Sequence, residues 1–222
     1  MNSALQVTTE RVDDIPLLFF LLPDRLGVGS ALDSLLARHG NWSGLSAGQT
    51  LEVWLAHILS EHNHFMSHVQ DWAKQRAETL AQLLQQSLRP TDLTDDRLGE
   101  LTRFLSRDEV WHPLEAQINQ TMVRVYRLPT RRVRTDSTTI SLEARSEVSW
   151  LFRRGRSKDY RPDLPQFKVM LAALDPLGAP LAADVVPGNA ADDPLYLPII
   201  QRLLTMLPEP GLLFIGDCKT SS

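Results

Sequence analysis

Asp136 lies within the β-branched run Arg131-Arg132-Val133-Arg134-Thr135-Asp136-Ser137-Thr138-Thr139-Ile140-Ser141-Leu142. That run reads as a strand, a setting that disfavours aspartate unless its charge is used. Asp217 follows the short apolar run Leu212-Leu213-Phe214-Ile215-Gly216, which reads as another strand carrying a carboxylate to a sheet edge. If the two strands are neighbours, the carboxylates converge, and two acids a few ångströms apart repel unless a cation neutralises them. Hard oxygen ligands of this kind select Mg2+ or Mn2+. Two such ions about 4 Å apart activate an attacking hydroxyl and stabilise a leaving oxygen in phosphoryl transfer. Each aspartate alone has a plainer role: Asp136 in a local Ser/Thr turn, Asp217 as the cap of a following helix.

Charge is unevenly spread around these acids. The formal net charge is −4, which argues against a generic nucleic-acid binder. Residues 1–122 hold 9 basic and 16 acidic side chains, residues 123–161 hold 11 and 4, and residues 162–222 hold 3 and 7. The basic stretch includes Arg153, Arg154, Arg156, Lys158 and Arg161. Such a stretch is either a solvated face or a strip that tracks phosphates.

Other reactive side chains are less suggestive. His57, His62, His64 and His68 fall within twelve residues, and His64 and His68 have the i, i+4 spacing of a helical metal pair. No acid of a His-Glu-x-x-His pattern lies between them, and residues 63–67 read as a helix junction that points the rings apart, so a structural or surface role is expected. Cys218 has no histidine placed to activate it and reads as packing. Trp54, Trp72 and Trp111 follow helical stripes and read as core.

The elements that must position the acids follow from periodicity. Up to about residue 125 the apolar spacing is helical. Asp13-Asp14-Ile15-Pro16 opens a first helix, and Gly27 and Gly29 end that segment. Residues 30–38 offer a second, stopped by Gly40. A third starts at Ser46, with Leu51, Trp54, Leu55, Ile58 and Leu59 on one face. Val69, Trp72, Ala73, Arg76, Leu80, Leu83 and Leu84 form another stripe. Thr94-Asp95-Asp96 opens the next helix, and Ser106 with Glu109 has the spacing of a capping box for a helix burying Val110, Trp111, Leu114, Ile118 and Met122.

After Leu128-Pro129 the period becomes that of strands at 131–142, 167–174 and 180–186. The last two are joined by Asp175-Pro176-Leu177-Gly178, a turn signal. Asp193-Pro194 then starts a helix to about Leu207, and a short strand follows from Gly211. An antiparallel meander followed by a helical crossover to another strand is the opening of a ribonuclease H-like sheet. The expected fold class is α+β, an all-helical domain over 1–127 followed by an incomplete ribonuclease H-like mixed sheet over 128–222.

Composition sets outer bounds. With 222 residues, 43% hydrophobic and 23% charged, the chain can bury a core in one large or two small domains. The longest apolar run, residues 17–22, is far short of the roughly 20 residues of a membrane span, and no secretory signal pattern opens the chain. A single cysteine excludes an internal disulfide and a cysteine-based zinc site. A reducing, cytoplasmic setting without a membrane is expected.

Three motifs carry a resemblance. Val133-Arg134-Thr135-Asp136-Ser137-Thr138-Thr139, then Gly155-Arg156-Ser157-Lys158-Asp159-Tyr160-Arg161-Pro162-Asp163-Leu164-Pro165-Gln166, then Gly216-Asp217-Cys218-Lys219 resemble bacterial insertion-sequence transposases of the DDE class. The likeness covers essentially the whole chain. Val12-Asp13-Asp14-Ile15-Pro16, Gly40-Asn41-Trp42 and Trp54-Leu55-Ala56-His57-Ile58-Leu59-Ser60 look like the N-terminal domain of one such subfamily. The resemblance implies a ribonuclease H-like catalytic domain that cuts and joins double-stranded DNA, at element ends and target, with two divalent ions and self-association on the DNA. It maps the family's first two acids to Asp136 and Asp217 as catalytic metal ligands for Mg2+ or Mn2+. It also gives the basic strip a purpose in gripping phosphates. The third acid, a glutamate on a later helix, has no counterpart among the 222 residues. The expectation is therefore a truncated transposase, inactive alone; the alternative is a non-catalytic module that binds DNA or other subunits.

Overall fold

A computed structural model describes residues 9–36, 43–143, 149–158, 160–207 and 211–216. The chain divides into two compact units, Met1–Val125 and Tyr126–Ser222.

In the first unit, α1 (Ile15–Phe19) begins with proline in its first turn and passes into a π-helical segment, Phe20–Leu26, with Pro23 inside. Proline has no N–H for the helical ladder, and the wider turn closes with the Gly27 N–H shared between the Leu22 and Pro23 carbonyls. Gly27 has φ +65°, a left-handed conformation that glycine adopts without a Cβ penalty. The chain then turns into α2 (Val28–Leu35), so Gly29, expected beyond a helix end, lies inside one.

The capping of α3 (Ala47–Glu61) is reciprocal. The Gln49 N–H donates to Ser46 Oγ at 3.0 Å and the Ser46 N–H donates to Gln49 Oε1 at 3.0 Å, which satisfies two amides that the helix itself leaves unpaired. Asp33 of α2 adds to this start by accepting from the Gly48 N–H at 2.8 Å. Helices α2 and α3 meet backbone to backbone: a Cβ on Gly48 would lie 2.1 Å from the Gly29 carbonyl oxygen. At the same crossing the buried Glu52 carboxylate accepts from the Gly29 N–H at 2.7 Å.

The stripe from Val69 to Leu84 is not one helix. It breaks into α4 (Met66–Lys74) and α5 (Ala77–Leu84) at Arg76, whose backbone leaves the helical region. Arg76 is 1% exposed. Its guanidinium donates to Asp13 at 2.7 Å, Glu61 at 3.1 Å and the Trp72 carbonyl at 3.2 Å. Those partners hold the turn where an apolar side chain would have continued the stripe. Thr94 caps α6 (Asp95–Leu105) through the Arg97 N–H.

The capping box expected at Ser106 is displaced. The Ser106 hydroxyl donates back to the Arg103 carbonyl, and the Arg107 carbonyl accepts the first bonds of α7 (Asp108–Tyr126). Val110 and Leu114 are buried as expected, whereas Trp111 is 38% exposed. Among the described residues no single helix is long and apolar enough to cross a membrane; one pair bent by 50°, Ile15–Leu26 with Val28–Leu35, passes by length and composition only.

The second unit is a four-stranded mixed sheet of order β3-β2-β1-β4, built from β1 (Arg132–Ser141), β2 (Gln166–Leu174), β3 (Ala179–Pro187) and β4 (Leu213–Ile215). β1 and β2 run antiparallel with Asp136 opposite Leu171, and β2 and β3 form the expected hairpin. After α8 (Asp193–Met206), β4 returns parallel to β1, with Ile215 opposite Arg134. The fold is α+β, helices first and then the mixed sheet, with the first and last strands adjacent. β1 alternates strictly: Val133, Thr135, Ser137 and Thr139 are buried, while Arg132, Arg134, Asp136, Thr138 and Ile140 face solvent. Beneath the covered face, Tyr196, Ile199, Leu203 and Met206 of α8 are buried, and Arg202 of α8 pairs with Asp184 of β3.

Burial pushes the Glu52 carboxyl up to about 7, with Asp33 and Asp24 adding repulsion against the opposing Gly29 hydrogen bond. An acid whose folded pKa lies above its unfolded value loses stability as pH rises, because the unfolded chain ionises first. Stability of the helical unit should therefore fall between about pH 4.5 and about pH 7. Glu52→Gln is expected to raise stability at pH 8 by up to about 3 kcal/mol and to change it far less at pH 5, as read from urea midpoints followed by circular dichroism.

Candidate acidic site and basic strap

The site is built on the solvent face of β1. Asp136 is 71% exposed at its side chain, and its Oδ1 accepts from the Ser137 N–H at 2.7 Å. Its flanking residues on that face, Arg134 and Thr138, also point to solvent. Arg132 and Arg134 both reach Asp175 at the far end of β2, at 3.4 and 2.9 Å, and are thus drawn away from Asp136. Asp217, expected as the second acid, lies outside the described residues, as does Cys218. The described part of β4 ends two residues earlier, at Ile215, opposite Arg134.

The basic segment is a strap locked to the sheet end. Arg153 forms a two-bond bridge with Gln166, its N–H donating to the Gln166 carbonyl at 3.0 Å and its carbonyl accepting the Gln166 N–H at 3.1 Å. The Gln166 side chain is fully buried, and its amide donates to the Arg156 carbonyl at 3.1 Å and the Gly188 carbonyl at 3.3 Å. Glycine is required on both sides of this junction. A Cβ on Gly155 would lie 2.5 Å from the Gly188 oxygen, and one on Gly188 would lie 2.1 Å from the Gln166 oxygen. From there the strap reaches β1, where the Lys158 N–H donates to Thr139 Oγ1 at 3.1 Å. The Lys158 ammonium ends beside the acid, 3.4 Å from Asp136 Oδ1, and donates to the Ser137 carbonyl.

The remaining cations of the strap divide by partner. Arg161 grips Asp163 through two 3.0 Å bonds; that pairing raises the Arg161 pKa and lowers that of Asp163. Arg154 donates to the Asp163 carbonyl at 3.0 Å and Arg153 to the Trp150 carbonyl at 3.3 Å. Arg154, Arg156, Lys158 and Arg161 are exposed, and Arg153 is half-buried. Lys158 is thus brought to Asp136, while Arg161 is turned to a local acid. Sequence reasoning passed over Gln166, Gly155 and Gly188 as a unit. Their only local sign is a glutamine at the head of an apolar strand and glycines at two chain turns.

Among the described residues the histidines do not group as metal ligands. His57 is buried edge-on against Trp72, at 5.4 Å between ring centres, and burial lowers its pKa despite the nearby Glu61. His62 ends α3 in a left-handed conformation, and His68 Nδ1 pairs with the Asn63 amide at 2.9 Å. Among the described residues no three His, Cys, Asp or Glu side chains group as metal ligands. Asp136 nevertheless offers a hard oxygen donor open to solvent, and the ammonium beside it shows that the position accepts a cation, so its chemistry fits one ligand of a magnesium or manganese ion.

Compared with protein-family models, with curated proteins and with solved structures, the chain has no match.

The strap depends on the glycine junction. Gly188→Ala would press a methyl group into two carbonyl oxygens, neither of them the end of a flexible side chain. It is expected to cost roughly 1–3 kcal/mol, seen as a lower urea midpoint, whereas Gly178→Ala, where a Cβ meets open space, tests the separate cost of a left-handed backbone.

Proposed function

We propose that this chain acts on DNA as the helical and initial catalytic portion of a DDE-class insertion-sequence transposase. The observation that carries the reading is the placement of Asp136: it projects from the open face of a β1 flanked by antiparallel β2 and parallel β4, with the basic strap alongside. The three motifs in order, and a sheet of the order such a domain opens with, support it. Asp136 and Asp217 are the proposed ligands for Mg2+ or Mn2+. When bound, such ions would neutralise charge at the phosphate and favour ionisation of the attacking hydroxyl. The strap's contribution is electrostatic. Arg154, Arg156 and Lys158 offer cations to a phosphate backbone, and arginine can hold one phosphate through two parallel bonds.

A second reading, a DNA-binding module without catalysis, is favoured by one observation: the Asp136 carboxylate is occupied by Lys158. Both readings require DNA binding.

The binding test is the salt dependence of affinity for a short duplex. Affinity is expected to fall steeply with salt, and Arg154→Ala together with Arg156→Ala should lower the log–log slope by up to about 0.9 for each phosphate that is no longer neutralised. An unchanged slope would remove the strap from the interface. Nicking of supercoiled plasmid in Mn2+, abolished by Asp136→Ala, or Mn2+ binding lost on that substitution, would favour the catalytic reading; salt-sensitive DNA binding with no Mn2+ binding at Asp136 would favour the second.

A further inference from the structure

We infer that Lys158 is a resident counter-ion that keeps a divalent cation off Asp136 until a phosphate draws the lysine away. The inference rests on the reading of Asp136 as a metal ligand. The lysine is delivered rather than merely nearby: Gln166 pins the strap at the Arg156 carbonyl and holds the Gly188 carbonyl, after β3, beside it, Gly155 and Gly188 close the junction, and the Lys158 backbone is tied to Thr139. With its backbone held there, the side chain reaches both the Ser137 carbonyl and the Asp136 carboxylate.

The carboxylate cannot serve two cations well. An ammonium at 3.4 Å from Oδ1 stands within a few ångströms of any ion bound to the same group, and like charges at that distance repel appreciably even in water. The pair is nonetheless exposed, 42% at the lysine and 71% at the aspartate, and exposed ion pairs are weak and easily exchanged. The natural competitor of Asp136 for the ammonium is another anionic oxygen. Arg154 and Arg156, exposed on the same strap, would bring a DNA phosphate to that place. Metal loading at Asp136 is then coupled to DNA: phosphate takes the lysine, and the freed carboxylate takes the ion.

The experiment titrates MnCl2 into the 222-residue chain by calorimetry, with folding checked by circular dichroism melts. Lys158→Gln is expected to bind Mn2+ roughly tenfold more tightly than wild type, Lys158→Arg to stay near wild type, and Asp136→Asn to lose the site. A short DNA duplex, with the heat of Mn2+ binding to the duplex alone subtracted, should tighten Mn2+ binding to wild type more than to Lys158→Gln; equal tightening of both, or none, would overturn the coupling to DNA. Lys158→Met, which keeps the aliphatic stem without the charge, gives the same readout should the glutamine variant fail to fold. If uncharged Lys158 variants match wild type within twofold while Asp136→Asn still weakens binding, the gating role of Lys158 is overturned and Asp136 stands as a ligand. If Asp136→Asn binds as wild type does, or no variant binds Mn2+, the reading of Asp136 as a ligand fails and the inference fails with it.

Discussion

The carboxamide of Gln166, fully buried at the head of β2, donates to two carbonyls from segments distant in sequence, Arg156 on the basic strap and Gly188 after β3. Its backbone at the same point pairs with Arg153. A loop rich in arginine and lysine repels itself, so beyond the edge-on packing of Phe152 against Phe167 at 5.4 Å its attachment to the sheet rests on specific hydrogen bonds. These bonds lie in a site shielded from water, where an unpaired carbonyl would be costly. The position of Lys158, and through it the electrostatics around Asp136, follows from that attachment.

The covered face of the sheet is graded to suit. Toward one end it is apolar, with Val133, Ala172, Leu174 and Leu181 buried. Midway Met170 lies opposite Ser137, and toward the other end the face is polar, with Thr139, Gln166 and Lys168 buried. Lys168 is satisfied by Asp192 at 2.7 Å and the Ala190 carbonyl at 2.6 Å, which turns the Asp192 carboxylate away from capping α8. The polar end can therefore receive the strap, since its hydroxyl and amide groups supply partners that an apolar surface would lack. Stability is concentrated at one end of the sheet and hydrogen-bonding capacity at the other.

Ion pairs serve different ends in the two units. Arg76 is buried among Asp13, Glu61 and Trp72, and removal of one partner from such a set leaves charge stranded out of water. That set is architectural and holds the break between two helices. The Lys158–Asp136 pair lies in solvent, where the same Coulomb attraction is largely screened. It is suited to exchange, a property that burial would have removed.

By itself the sequence determined the elements whose signals are local. Alternation of β-branched residues marked β1, Asp175 to Gly178 marked the hairpin turn, proline marked the starts of α1 and α8, and the order of strands implied that the first and last would be adjacent. The charge balance likewise marked residues 123–161 as basic. Tertiary structure decided what periodicity cannot carry. An apolar stripe reads the same whether one helix or two contribute it, so the break at Arg76 came from Asp13 and Glu61, 63 and 15 residues away. The cap after α6 moved because Ser106 found its partner in the helix it ends rather than the one it precedes. At the candidate site, Asp136 was legible from its strand, but Lys158 as its partner was not. That pairing spans 22 residues and exists because a buried glutamine and two glycines bring a basic strap back to the sheet.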